Sequence, residues 1–237
     1  MQTLSEKQNM ERNPKVLVGC PTSDHKGYCV KRYMAGLKKL TYNNFDILIV
    51  DNSKGEEYTK EISSLGLPVI KGPYSESARQ RIIDSRNLLR KKVLDEGYDY
   101  FLSLEQDVIP PVDFIEKLLV QDKKVIGGLY FNYNNIQEKD VLMPLIWKRV
   151  GEDEVRYFSL EEVKEGVMDV GATGLGCLLI HRDVLKDIKF RFKVMEKGFD
   201  DMWFCQDVFR KGYKIYIDTS LKCKHLIKGW CWEGIKQ

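Results

Sequence analysis

No stretch of this 237-residue chain approaches the run of about 20 apolar residues needed to span a bilayer, and the polar start from Met1 to Asn13 lacks an apolar leader core. Neither a membrane-spanning nor a secreted protein is expected. The six cysteines, Cys20, Cys29, Cys177, Cys205, Cys223 and Cys231, include no Cys-x-x-Cys pair and sit mostly in apolar runs. Buried, reduced thiols and a cytoplasmic location follow. A large basic surplus is also missing: 38 Lys and Arg against 35 Asp and Glu leave a net charge of +3. That balance disfavours nucleic acid as a partner, because phosphate-driven binders carry far more positive charge. No internal repeat and no low-complexity linker divides the chain. With 43% hydrophobic and 31% charged residues it is an ordinary globular sequence, long enough to bury a full core.

What is present alternates. Strands are predicted at Lys15–Gly19, Phe45–Val50, Pro68–Ile70, Tyr100–Leu104 and Val125–Phe131, with helices near Val30–Leu40, Glu56–Leu65, Ser75–Glu96 and after Pro110-Pro111. Continuous apolar runs such as Phe45–Val50 suit strands covered on both faces, so the first 130 or so residues predict an α/β fold with a mostly parallel sheet flanked by helices. Ligands bind such sheets at the carboxyl ends of the strands. The second half is less regular. A polar loop is expected at Asn132–Asp140, a strand at Leu145–Val150, a Gly-rich bend feeding an apolar strand at Gly171–Ile180, a helix near Asp201–Lys211 and a strand at Lys214–Ile217.

Five features carry candidate chemistry. Glu105 and Asp107 leave the buried fourth strand two residues apart, so strand alternation puts both carboxylates on one side, where they would repel unless a cation sat between them. Mg²⁺ or Mn²⁺, held through an acid, water and a substrate phosphate, suits that spacing; a solvated turn is the alternative. The long helix and its approach hold seven basic residues between Lys71 and Lys92 against Glu76 and Asp84. Arg79 and Arg86 share a face and match phosphate oxygens, and Arg86-Asn87 would both serve a diphosphate. Asp51, ending the second strand, would accept from a base or ribose or else close an Asx turn. Asp200-Asp201 at a helix start would cap it, or one would act as general base with its pKa raised by the other. His225 would join the carboxylates around Mn²⁺. Cys223, His225 and Cys231 lack a fourth ligand for zinc.

Taken in order, Cys20-Pro21-Thr22, Val50-Asp51-Asn52-Ser53, Ser85-Arg86-Asn87, Glu105-Gln106-Asp107, the Val170–Ile180 segment with Arg182-Asp183, Asp200-Asp201 with Phe204-Cys205, Lys211–Tyr216 and His225 resemble the family 2 glycosyltransferases of GT-A fold, from Lys15 to about Gly229. Glu105 departs from the family's Asp-x-Asp and leaves Asp107 as the more direct ligand. The resemblance implies a polar extension (1–13), one GT-A domain (14–229, its nucleotide-binding half 14–131 and its acceptor half 132–229) and a tail (230–237). It implies metal ligands Asp107, His225 and Glu105, and donor-binding residues Pro21, Thr22, Asp51, Asn52, Arg79, Arg86, Asn87, Glu105, Gln106 and Gly174. Asp201 would be the general base of an inverting transfer from a UDP- or GDP-sugar to a saccharide, lipid or protein acceptor, with Asp200 as cap or sugar contact. The Lys222–Lys236 tail, with Trp230 and Trp232, would touch an anionic membrane surface. A non-catalytic binding module or a sugar nucleotidyltransferase are the alternatives. The latter lacks its Gly-rich loop after the first strand, and a nicotinamide dehydrogenase lacks a correctly placed GxGxxG.

Overall fold

A computed structural model of the chain describes residues 13–193 and 198–228. Trp230, Trp232, Cys231 and nearly all of the polar extension lie outside the described residues. The alternating half folds as β1 (Val16–Thr22), α1 (Val30–Leu37), β2 (Phe45–Asp51), α2 (Glu57–Ser64), β3 (Val69–Lys71), α3 (Ala78–Asp95) and β4 (Tyr100–Leu104). These four strands pair in parallel in the order β3-β2-β1-β4. Strand alternation sorts their side chains: Leu17 and Phe101 enter one buried cluster, while Val16, Val18 and Leu102 enter the other, on the opposite face. α3 starts where the Ser77 hydroxyl accepts from Gln80 N at 3.3 Å, and it ends before Gly97, whose φ of +74° favours glycine. Its inner face holds Leu89, Val93 and, equally buried, Arg86. Lys71 lies in β3, outside the helix.

Next come β5 (Val108–Ile109), α4 (Phe114–Leu119), β6 (Val125–Leu129), β7 (Phe131–Ile136) and β8 (Lys139–Pro144). The polar loop expected at Asn132–Asp140 is instead a hairpin, with Asn132 opposite Met143, Tyr133 opposite Leu142, and positive φ at Gln137 and Glu138 in the two-residue turn. Three of the six β7 residues are Asn, and Phe131 to Asn135 are all at least partly exposed, so the strand carries little of the apolar signal by which a buried strand is read. Likewise the run predicted as one strand over Val125–Phe131 is split at buried Tyr130.

The remainder comprises β9 (Ile146–Arg149), β10 (Val155–Tyr157), β11 (Val167–Val170), β12 (Ala172–Thr173), β13 (Cys177–His181), α5 (Arg182–Asp187), α6 (Asp200–Arg210), β14 (Ile215–Lys222) and β15 (Lys224–His225). β13 runs antiparallel between β4 and β6, which extends the main sheet to eight strands, β11-β14-β6-β13-β4-β1-β2-β3. α5 was not expected from the sequence; it is short, and only Val184 and Leu185 bury from it. The five described cysteines are free and buried. No helix among the described residues is long and apolar enough to cross a membrane. β1, β2 and β4 end together at one edge of the sheet, where the Asp24–Cys29 turn, the residues after Leu104 and the start of α6 gather.

Candidate active site

After Leu104 the chain turns sharply, with Glu105 N donating to Gly176 O (2.9 Å) and Val108 N to Glu105 O (2.9 Å). The three side chains of this turn part company. Gln106 enters the interior, where its carbonyl accepts from Thr22 Oγ1 (2.7 Å) and its amide donates to Lys26 O (2.6 Å) and Tyr58 Oη (2.6 Å). Glu105 and Asp107 take different partners, though Glu105 still acts electrostatically on Lys26 and His225 beside Asp107.

Arg86 reaches Glu105 from below. Its Nη2 donates to Glu105 Oε1 (2.5 Å), its Nη1 to Ser103 Oγ (2.6 Å), and its Nε lies 2.6 Å from Asp200 Oδ2. Burial pushes the Arg86 pKa down, but Asp200 and then Glu105 outweigh it and hold the guanidinium above its usual value. Ser103 Oγ in turn donates to Leu175 O (2.6 Å), which ties the network to the Gly-rich segment. Asp201, the next residue of α6, accepts from Met202 N at 2.7 Å. Burial, and then the Asp200 charge, push its carboxyl up to about 6.

Asp107 sits under the Asp24–Cys29 turn, paired with Lys26 and with His225 Nε2 at 3.5 Å from Oδ2. Burial alone would raise its pKa; the hydrogen bond with His225 and the Lys26 charge bring it instead to about 2. His225 Nδ1 lies 2.8 Å from Phe131 O, and its pKa is raised because Asp107 outweighs the effect of burial.

A cleft of about 300 Å³ is lined by Pro21, Thr22, Lys26, Asn52, Arg86, Glu105, Gln106, Phe199, Asp200 and Asp201 among others; Asp107 and His225 lie behind Lys26, outside that lining. Arg79 is not part of this lining; its guanidinium lies 5.5 Å from the ring of Phe199, which is. Three further expected donor residues, besides Arg79, lie outside the lining. Asp51 is fully buried and accepts from Ser53 N (2.9 Å), Thr59 Oγ1 (2.6 Å) and Lys71 Nζ (3.1 Å), an Asx turn with an added ion pair. Asn87 points the other way on α3 and clamps the Phe190 backbone through its amide at 2.9 Å and its carbonyl at 3.2 Å. Gly174 packs under Tyr130, where an added Cβ would fall 2.0 Å from the hydroxyl. Lys26, Ser103 and Phe199 are not among the expected site residues: a lysine in a turn, a serine in a strand and an exposed Phe have no spacing that marks them.

Glu105 and Asp200 share Arg86, while Asp107 lies between Lys26 and His225. Asp107 Oδ1 is buried and accepts no hydrogen bond from any described residue. Among the described residues no three His, Cys, Asp or Glu side chains are grouped to hold a metal ion. Asp107 oxygen and His225 nitrogen are donor types that Mg²⁺ and Mn²⁺ accept, and a cation held by these two would have to take its other ligands from water and substrate phosphate.

No family model and no curated protein sequence matches the chain. Solved structures do. S. aureus TarS, a glycosyltransferase, aligns with 88% of this chain at 14% identity and a TM-score of 0.57. The match covers 36% of TarS, so this chain spans about a third of that protein's length. A197 from STIV aligns with 90% of this chain and 86% of its own at 16% identity and a TM-score of 0.49. The likeness to TarS defines the class of fold: a GT-A-like α/β domain.

Proposed function

We propose that the chain is a cation-assisted glycosyltransferase that moves a sugar from a UDP- or GDP-sugar to an acceptor hydroxyl with inversion. The observation that carries this reading is Asp201: a carboxyl raised to about 6 on the wall of a cleft at the carboxyl ends of the parallel strands. A base poised near the working pH both exists in its ionised form and accepts a proton readily. The GT-A-like fold it shares with TarS, a glycosyltransferase, supports the same class of reaction.

In this mechanism Pro21, Thr22 and Asn52 wall the donor site, and Asp107 with His225 would hold Mn²⁺ or Mg²⁺. A cation bound there supplies positive charge against the departing diphosphate. Arg86 fixes Glu105 and Asp200 together, and Asp200 keeps the Asp201 carboxyl basic. One Asp201 oxygen is occupied by Met202 N, and the other takes the acceptor's proton. The acceptor oxygen bonds to the anomeric carbon while the bond to the diphosphate oxygen breaks with its electron pair. Incubation with UDP- and GDP-sugars plus Mn²⁺, read as nucleoside diphosphate release and product anomer by NMR, tests the reading. Release with an inverted anomer is expected. Absence of release across the panel, or a retained anomer, refutes the corresponding part.

A further inference from the structure

Lys26 is held in an unusual way. Its backbone is pinned three times: its N donates to Ser23 O (2.9 Å), while its carbonyl accepts from Gln106 Nε2 (2.6 Å) and Cys29 Sγ (3.1 Å). Its side chain is 38% exposed and lines the cleft beside Pro21, Thr22, Arg86 and Glu105, yet its ammonium rests on Asp107, whose carboxylate is buried. A fixed stem thus carries a charge on a flexible four-carbon arm, between a buried acid on one side and an open cleft on the other. Asp107 already has His225 as a second neighbour, and its Oδ1 goes without a hydrogen bond. Lys26 and a divalent cation carry like charge, so both cannot crowd this one carboxylate; direct contact between them would cost several times the thermal energy.

Resting on the donor reading above, we propose that Lys26 is an exchangeable occupant of the cation site: its ammonium neutralises Asp107 in the free protein, and yields that carboxylate to a divalent cation to pair with the diphosphate of the nucleotide. The other ionisable groups at this point are held by partners of their own, Glu105 by Arg86 and His225 through Nδ1 at Phe131 O. Arg86 cannot make this exchange, since it is fully buried and spans Glu105, Ser103 and Asp200 at once.

The exchange makes two opposite demands on one side chain, and these separate it from a purely structural lysine. Lys26→Met, with Lys26→Gln as a second variant, removes a competitor for Asp107 and a partner for phosphate. Calorimetry with Mn²⁺ alone is expected to show at least tenfold tighter binding than in the wild type. With UDP or GDP at saturating Mn²⁺, the same variants are expected to bind at least tenfold more weakly. Lys117→Met, which loses an exposed lysine of α4 paired with Asp113, should move neither constant and controls for net charge. Thermal melts establish that each variant is folded. Unchanged or weaker Mn²⁺ binding in both Lys26 variants overturns the exchange. If wild type binds neither UDP nor GDP with Mn²⁺, the donor reading itself falls, and this proposal with it.

Discussion

Arg86 Nε lies 2.6 Å from Asp200 Oδ2 with both side chains buried, so α3 is joined to the first residue of α6 by a charge pair under the floor of the cleft. The same guanidinium holds Glu105 after β4. Three elements that carry the candidate chemistry are therefore referenced to one side chain.

Arg86→Met should be strongly destabilising, because Asp200 keeps its burial and loses its counter-charge. Breaking a buried pair from one side costs about 3–5 kcal/mol. Urea unfolding measures this, and Arg86→Met with Asp200→Leu should recover a substantial part. Arg86→Lys should not rescue, since an ammonium cannot serve Ser103, Glu105 and Asp200 in the same fork.

Asp201→Asn should lower kcat by roughly 10²–10⁴-fold, the usual contribution of a general base, with UDP or GDP affinity little changed. In the wild type, kcat/KM should rise with pH through about 6, as Asp201 loses its proton, and then level off. A pH–rate profile checks both; a profile flat between pH 5 and 7 contradicts the assignment.

The same carboxyl affects stability in the opposite sense. Because the folded-state pKa is raised from 3.8 to about 6, the native state binds more protons than the unfolded one between these values, and stability is lost as pH rises through that window. Asp201→Asn should thus stabilise by an amount on the order of 1 kcal/mol at pH 7 and by nothing near pH 3.5. Thermal melts at the two pH values give the comparison.

Gly174→Ala should destabilise by about 1–3 kcal/mol, since the new methyl would sit 2.0 Å from the hydroxyl of buried Tyr130. Tyr130→Phe removes that hydroxyl along with its bond from Gly176 N at 3.1 Å. The double variant should lose less than the sum of the singles, and a double-mutant cycle by denaturant unfolding reads the coupling.

The amino-acid sequence by itself determined the alternating strands and helices of the first half, the two-faced burial of β1, β2 and β4, and the acidic turn at their edge. Period-two and period-3.6 patterns are local, so a single chain displays them. The β7–β8 hairpin escaped because its Asn-rich first strand carries only a short stretch of that pattern. Only the tertiary structure decided what each candidate touches. Arg86 and Asn87 are neighbours in sequence, yet a helix turns about 100° per residue, which sends one to the cleft and the other to Phe190. Asp51 ends its strand in the expected place, and Ser53, Thr59 and Lys71 occupy its carboxylate. Lys26 and His225 come from opposite ends of the chain; the family resemblance brings His225 to Asp107, while nothing in the neighbourhood of Lys26 foretells that it meets them there. His225 reaches Asp107 through the pairing of β15 with β5, a long-range contact that no local period encodes.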